Sequence, residues 1–155
     1  MLFCAVAPAE LCEKRRLGMD AKKQIKLVVR GKFRGEFFVE ENRAEVRLNP
    51  MESTLFRLFI AHPEGIASAN LLSYWKELCR IYSQESIFDE SSRQQDVLEA
   101  LCSESKRCFY PVISRIKSKF VCALGSRKAS GYYIKRYSDG LYRTKAVMVT
   151  HDSNL

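Results

Sequence analysis

Cationic side chains are the most abundant chemically active groups of this chain, and they concentrate towards its C-terminal end. Eleven lysines and arginines but only two acids lie between Glu104 and Val147, a net charge of +9, whereas residues 1–103 carry fifteen of each sign. Such a density of cations attracts polyanions, because each phosphate that they neutralise releases condensed counterions. The charge distribution therefore predicts a nucleic-acid partner, and a basic surface that only maintains solubility is the alternative.

Residues with the spacing needed to read a DNA groove occur inside this basic segment. Arg115 and Lys119 are one helical turn apart, and Ser114 and Ser118 beside them are small enough to allow close approach. An arginine can read guanine through paired donors, and contact with a phosphate is the other outcome for each cation. Further phosphate contacts, or else solvated charges, are Lys106, Arg107 and Lys117.

Side chains suited to catalysis or metal binding are few. The two histidines, His62 and His151, have no sequence neighbour that would orient them as a general base. The six cysteines form no Cys-x-x-Cys pair, so zinc is not predicted and buried, reduced thiols are expected. Cys108 lies close to two cations, but a cysteine nucleophile without a partnered histidine is disfavoured. We therefore expect a protein with no enzymatic activity and no cofactor or metal.

The first half of the chain predicts a sheet followed by two helices. Apolar and charged residues alternate in three runs between residues 24 and 48, which indicates a small antiparallel meander. Asn49 then serves as an N-cap, Pro50 takes the first helical position and Glu52 completes a capping box. Apolar residues recur at helical spacing from about residue 68 to 83, which predicts a second helix.

A polar loop and a short helix are predicted after the second helix. Residues 84–92 are polar and interrupted, whereas residues 92–102 place Val97, Leu98 and Leu101 on one face. That apolar face would cover the core, or it would form a self-complementary patch.

The second half of the chain predicts a cationic helix and a hairpin. Residues 110–124 form an amphipathic pattern with one apolar face, and Pro111 falls in the first turn. Two strand-forming runs then flank the Asp139-Gly140 pair, a strong hairpin signal. Cations of the hairpin that would contact the DNA backbone or the minor groove are Lys135, Arg136 and Arg143.

The order of these elements predicts a fold. A sheet, two helices, a cationic amphipathic helix and a hairpin follow one another along the chain. This is the order of an α+β winged helix-turn-helix with an N-terminal antiparallel sheet, three main helices and a C-terminal β-hairpin wing. In that fold the third helix lies in the major groove and the wing contacts the DNA beside it.

Three segments in this order resemble the OmpR/PhoB-type winged-helix DNA-binding domain of bacterial response regulators. They are LNPME at 48–52 with the HPEG turn at 62–65, VISRIKSKF at 112–120, and YI at 133–134 with GLY at 140–142. The resemblance covers about residues 24–147 and implies that the third helix is the recognition helix. The twenty residues before the sheet do not resemble the receiver domain that usually precedes this family's DNA-binding part.

The chain is therefore divided into three parts by these patterns. Residues 1–20 are expected to be a flexible extension, with Met19 as an alternative start site. Residues 21–148 form the winged-helix domain, in which residues of about 84–103 are inserted between the second and third helices. Residues 149–155 are expected to be a C-terminal tail. The apolar stretch at 1–9 is too short to span a bilayer, so no membrane contact is predicted.

The expected function is that of a cytoplasmic, non-enzymatic regulator of transcription that binds double-stranded DNA. A protein-interaction module of a different class is the alternative, with a homodimer or an acidic partner contacting the 84–103 segment. RNA is a third possible partner, because electrostatic attraction alone does not distinguish the polyanions.

Overall fold

The structure, a computed structural model, describes residues 27–31, 35–41, 43–86 and 91–150. In this part of the chain, helices and strands form a mixed α+β fold, as the sequence predicts. The predicted extension at residues 1–20 and the end of the predicted tail lie outside the described residues. None of the helices in the described ranges has the length and apolar character needed to cross a membrane.

The described elements are three short strands, then the helices, then three further short strands. The helices are α1 (Pro50–Ala61), a 3-10 helix (Ser68–Tyr74), α2 (Trp75–Glu85), α3 (Ser91–Cys102), α4 (Phe109–Leu124) and α5 (Ser126–Ala129). The strands are β1 (Leu27–Gly31), β2 (Glu36–Val39), β3 (Ala44–Arg47), β4 (Lys135–Arg136), β5 (Tyr142–Arg143) and β6 (Ala146–Thr150). The main sheet has the order β3-β2-β1-β6, and β4 and β5 form a separate ribbon. The pairs β1–β2 and β2–β3 are antiparallel, which confirms the predicted meander.

The last strand corrects the predicted hairpin. Only two residues of each ribbon strand form a pair. The chain then leaves the ribbon, and the following strand β6 pairs with β1 in parallel. The buried Thr144 redirects the chain, because its hydroxyl donates to the Tyr132 carbonyl (2.6 Å) and accepts from the Ala146 amide (3.1 Å). Residues 149 and 150, which were predicted to be tail, therefore belong to the sheet.

The start of α1 is the predicted capping box. Asn49 Oδ1 accepts a hydrogen bond from the Glu52 amide (2.8 Å), and Glu52 Oε1 accepts one from the Asn49 amide (3.0 Å). Pro50 occupies the first helical position, where no hydrogen-bond donor is needed. Because these bonds satisfy amides that a first helical turn leaves unpaired, this boundary follows from local sequence.

Four aromatic rings connect the sheet to α4. Phe37 on β2 contacts Phe56 on α1 edge to face, with ring centroids 5.2 Å apart, and Phe56 contacts Phe120 on α4 at 5.1 Å. Phe120 then stacks on Tyr132, with a centroid distance of 6.1 Å. All four side chains are buried. This row of rings fixes α4 against α1 and the sheet.

The predicted second helix is divided into two parts. Residues 68–74 form the 3-10 helix, and α-helical geometry begins only at Trp75. No side chain caps the first turn at Ala67, and short 3-10 segments are frequent at the ends of helices. At the other end α2 continues to Glu85, so the predicted loop begins two residues later than expected.

A buried carboxylate joins the end of α2 to α1 and to the β1–β2 connection. Glu85 Oε1 accepts hydrogen bonds from the Gly35 amide (3.1 Å), from Arg57 Nε (2.9 Å) and from the Ser53 hydroxyl. The Glu85 side chain is only 7% exposed, and Arg57 compensates its charge. Gly35 has φ +82°, and a Cβ there would collide with the Leu48 carbonyl oxygen, so the position requires glycine.

The turn after α1 contains a histidine between two carboxylates. His62 Nε2 lies 2.8 Å from Glu77 Oε1, and His62 Nδ1 lies 3.2 Å from Glu64 Oε2. Burial alone would lower the pKa of His62, but the hydrogen bonds and charges of Glu77 and Glu64 outweigh it and raise the pKa above the usual 6.5. The turn leads to Ile66, which exchanges two backbone hydrogen bonds with Tyr142 of β5, each 2.9 Å long.

We expect the contribution of His62 to stability to disappear as pH rises through its raised pKa. A group with a higher pKa in the folded state stabilises the protein fully below its unfolded pKa and no longer does so above its folded pKa. The difference in unfolding free energy between the wild type and His62→Gln should therefore be larger at about pH 6 than at about pH 8 in urea titrations. An equal difference at both pH values would contradict this role of Glu77 and Glu64.

Candidate nucleic-acid interface

The two faces predicted for α4 are present. Its buried side chains recur every three or four positions and are Phe109, Val112, Ile116 and Phe120. The exposed face carries the predicted DNA contacts Ser114, Arg115, Lys117 and Ser118. Pro111 lies in the first turn, where the proline ring does not interrupt an internal hydrogen bond. The helix therefore packs through one side and presents cations and small polar residues on the other.

Cations from α4 and from the ribbon converge on one aromatic ring. Lys117 Nζ lies 5.5 Å from the centroid of the Tyr133 ring, and Lys135 Nζ lies 5.3 Å from the same centroid. Lys135 Nζ also donates to the Ser130 hydroxyl at 2.6 Å. Both distances to the ring are within the range of about 6 Å for a cation–π contact, so the ring stabilises two neighbouring positive charges. Lys117 and Lys135 therefore belong to one surface.

The beginning of α4 also packs against the ribbon. The Phe109 and Tyr142 rings meet edge to face, with centroids 5.2 Å apart. Burial, with a smaller effect of the neighbouring Tyr110, raises the pKa of the Tyr142 hydroxyl. The exposed Arg136 is the cross-strand partner of Tyr142. The helix and the ribbon thus lie side by side, and Arg136 extends the basic surface.

Lys119 is not free on this surface, in contrast to the expectation that it lies over the groove with Arg115. Its Nζ forms an ion pair with Glu52 Oε1, and the Glu52 side chain is 1% exposed. Glu52 Oε2 is buried and has no hydrogen-bond partner among the described atoms. Removing Lys119 would leave a buried carboxylate uncompensated, so its first role is to hold α4 against the N-terminal end of α1.

Arg143 is also engaged within the protein. Its guanidinium pairs with Asp139, and it lies over the Tyr137 ring, 4.6 Å from the centroid. From the sequence, Arg143 is predicted to contact DNA from the wing. These contacts instead brace the ribbon turn and leave the side chain 27% exposed.

The pair Lys106 and Arg107 lies in the connection before α4. Lys106 has φ +58°, and its Nζ donates to the Ser103 carbonyl oxygen at 3.2 Å, just after the end of α3. Arg107 is exposed. Lys106 therefore stabilises the connection, while Arg107 remains accessible to a ligand.

Arg115 lies on a different side of α4 from Lys117. It lines a cleft of about 320 Å³ together with residues of α1, α2 and α3, among them Met51 and Arg93. The side chains of Ser114 and Ser118 are exposed beside it. The exposed strip of α4 thus has small residues flanked by cations.

The described part of the 84–103 segment covers the core. α3 spans residues 91–102, which agrees with the predicted short helix. Leu98 and Leu101 are completely buried and Val97 is half-buried. These three residues therefore cover the core, which is one of the two interpretations of the sequence. They do not form an exposed, self-complementary apolar patch.

Some features of this region were missed or judged differently from sequence. The sequence predicts that Tyr133 lies in a strand, whereas the structure places it half-buried in a bend before β4. The sequence shows no orienting partner for His62, but folding brings Glu77 to it. The described cysteines are free thiols, as expected, but none of them is fully buried: Cys79, Cys102 and Cys108 are half-buried and Cys122 is exposed.

The accessible cations of the described interface are distributed over α4, the connection before it, and the ribbon. They are Arg107, Arg115, Lys117, Lys135 and Arg136. No protein-family model, curated protein or solved structure matches this chain. The geometry and charge of the surface therefore carry the functional argument.

Proposed function

We propose that this protein binds double-stranded DNA and regulates transcription without enzymatic activity. The observation that carries the proposal is the convergence of Lys117 from α4 and Lys135 from the ribbon on the Tyr133 ring. Two ammonium groups at one ring leave local positive charge uncompensated, and a phosphate backbone supplies the opposite charge.

The order of the elements supports a winged-helix interpretation. α1 is followed by the bridge between Ile66 and Tyr142, then by α2, α4 and the ribbon. In a winged helix the short strand after the first helix pairs with the hairpin, and the last helix enters the major groove. On this interpretation α4 is the recognition helix and the β4–β5 ribbon is the wing, as the OmpR/PhoB-type resemblance implies.

The composition of the exposed face of α4 suits close contact with a groove. Ser114 and Ser118 occupy its middle and bring little bulk, while Arg115 and Lys117 flank them. A major groove is about 12 Å wide and admits one helix when the helix carries small residues at its closest approach. Hydrogen bonds from the two serines would then read base edges, and Arg115 and Lys117 on either side of them would bind phosphate.

The environment of His62 supports the non-enzymatic part of the proposal. Each ring nitrogen lies within hydrogen-bonding distance of a carboxylate, Glu77 on one side and Glu64 on the other. A general base needs a nitrogen that is free to take a proton from a substrate. His62 instead acts as a structural link between the turn and α2.

We expect the affinity for duplex DNA to fall steeply with salt. Each phosphate contact contributes about −0.9 to the slope of log Kobs against log salt concentration, so four contacts from Arg115, Lys117, Lys135 and Arg136 give a slope of about −3.6. Fluorescence anisotropy with a labelled duplex at several salt concentrations measures this slope. Random-site selection at two salt concentrations tests whether one sequence is enriched.

Binding that does not respond to salt would contradict the proposal, and so would the absence of an enriched sequence. An A-form RNA duplex serves as the control competitor. Its major groove is too deep and narrow to admit a helix, so it should compete more weakly than B-form DNA of the same length. Stronger competition by RNA would favour the RNA-binding alternative.

A further inference from the structure

A cleft lies beside α4, on the side away from the ribbon, and the inserted helix α3 forms one of its walls. Its volume is about 320 Å³, and its lining includes Arg115 from α4 and Arg93 from α3. Asn49 and Met51 from the N-terminal end of α1 complete the opposite wall. The cleft therefore exists because the segment between α2 and α4 is longer than a simple turn.

The two arginines give this cleft a local excess of positive charge. No ion pair joins Arg93 or Arg115 to another described residue, and both side chains are exposed. Two guanidinium groups that line the same cleft repel each other. An anion between them attracts both, and these two attractions outweigh the repulsion. Guanidinium groups bind phosphate with paired, charge-assisted hydrogen bonds. The charge and donors of the cleft thus fit a phosphate group.

The position of the cleft relative to Lys117 indicates where that phosphate comes from. Arg115 and Lys117 are two residues apart on α4, a spacing at which helical side chains point to opposite sides. Lys117 lies over the ring of Tyr133, just before the ribbon, whereas Arg115 lies in the cleft with Arg93. A helix in the major groove has one phosphate backbone on each side. The ribbon and the cleft are therefore placed to contact the two strands separately.

The lining of the cleft is mixed in composition. Leu98 and Leu101 of α3 are buried, but Val97, Met51 and Pro50 bring apolar surface to the cleft beside Arg93. Arg93 and Arg115 are the only charged residues of the described lining. Protein interfaces are depleted in charge at their centre, whereas phosphate contacts need donors and positive charge, so the two arginines favour phosphate over a protein partner.

We infer that Arg93 and Arg115 form a clamp for a backbone phosphate of the DNA strand on the side of α4 away from the ribbon. The inference rests on the DNA binding proposed above and extends it to the inserted helix. Arg93 positions the DNA without reading its sequence, because a phosphate contact carries no direct base information. The inserted helix thereby adds a contact that the three main helices and the ribbon do not provide.

The test compares Arg93→Gln with Arg80→Gln, a matched loss of one exposed arginine on α2 outside the cleft. In salt titrations with the labelled duplex, Arg93→Gln should reduce the magnitude of the slope, by at most about 0.9 because Arg115 still contacts the shared phosphate, while Arg80→Gln should leave it unchanged. Affinity at about 0.1 M salt should fall roughly fivefold to tenfold for Arg93→Gln only. Arg93→Lys keeps the charge and should keep most of the slope.

Site selection provides the second readout. Arg93→Gln should enrich the same DNA sequence as the wild type, because only a positioning contact is lost. A changed sequence would overturn the assignment to phosphate. Circular dichroism and thermal unfolding should match those of Arg80→Gln, and a lower melting temperature for Arg93→Gln alone would assign Arg93 to the fold and overturn the clamp.

The experiments give different results if the clamp is wrong and if the proposed DNA binding is wrong. If the wild type binds duplex and Arg93→Gln has the slope of Arg80→Gln, the clamp is wrong and the proposed function remains. If the wild type does not bind duplex, both are wrong. Pyrophosphate titrated in the absence of DNA, with the arginine side-chain resonances observed by NMR, tests a free phosphate ligand. Tight binding of pyrophosphate to the cleft, together with unaltered DNA binding by Arg93→Gln, would assign the cleft to a small phosphate ligand instead.

Discussion

Phe56→Ala should destabilise the protein by about 3–5 kcal/mol, a large part of the stability of a domain of this size. Phe56 is completely buried and lies between Phe37 of the sheet and Phe120 of α4, with ring centroids at 5.2 and 5.1 Å. Truncation removes the buried surface and leaves a cavity that the flanking rings cannot fill, because each is held by its own element. The unfolding free energy from urea titration measures the loss.

Phe56→Leu is the matched control for this prediction. It keeps an apolar side chain at the centre of the row and should cost less than half as much, since the cavity is smaller. A loss below about 1 kcal/mol for Phe56→Ala would show that the sheet, α1 and α4 are not packed as one core.

The double variant Lys117→Ala/Lys135→Ala should reduce affinity for duplex DNA about thirtyfold at about 0.1 M salt, if each lost phosphate contact contributes about 1 kcal/mol. The slope against salt should decrease in magnitude by about 1.8, which corresponds to two phosphates. Both lysines lie near the Tyr133 ring, at 5.5 and 5.3 Å from its centroid, and neither pairs with a described carboxylate. Their loss should therefore change stability by less than about 2 kcal/mol.

Lys76→Ala/Arg80→Ala removes the same number of charges from exposed positions of α2 and serves as the control. It should change affinity less than about threefold, because salt at this concentration screens the attraction of charges that lie farther from the DNA than about 10 Å. Equal losses in the two double variants would mean that net charge alone attracts DNA. The surface formed by α4 and the ribbon would then have no special role.

The two largest predictions depend on different parts of the same arrangement. Phe56 fixes where α4 lies, whereas Lys117 and Lys135 define what the exposed side of α4 can attract. A smaller loss of stability than expected for Phe56→Ala would contradict the proposed packing of α4. Normal affinity for DNA in Lys117→Ala/Lys135→Ala would contradict the proposed interface. Measuring stability and binding on each variant separates these two causes.

Features set by neighbours in sequence were predicted correctly. The capping box at Asn49 and Glu52 needs only residues three positions apart, and both of its hydrogen bonds are present. The helix predicted for residues 110–124 begins at Phe109 and ends at Leu124. The ribbon turn follows from Asp139-Gly140, where the Leu141 amide donates to Asp139 Oδ1 at 3.0 Å.

The extent of the hairpin could not be predicted in this way. The β-forming run that continues to residue 147 fits a longer wing as well as it fits a strand of another sheet. The Thr144 hydroxyl decides between them, because it bonds to Tyr132, twelve residues away, and directs the chain towards β1. Local propensity contains no information about which strand will be available as a partner.

The sequence by itself determined the positions of α1, α3 and α4, the concentration of positive charge and the amphipathic character of α4, because these depend on residue type and on spacings of a few residues. Only the tertiary structure decided which cations are accessible. Lys119 is paired with Glu52, 67 residues away in sequence, whereas Arg115 shares a cleft with Arg93 of a different helix. A charged side chain has several partners within reach of its flexible stem. Which one it finds depends on distances that exist only after the helices have packed.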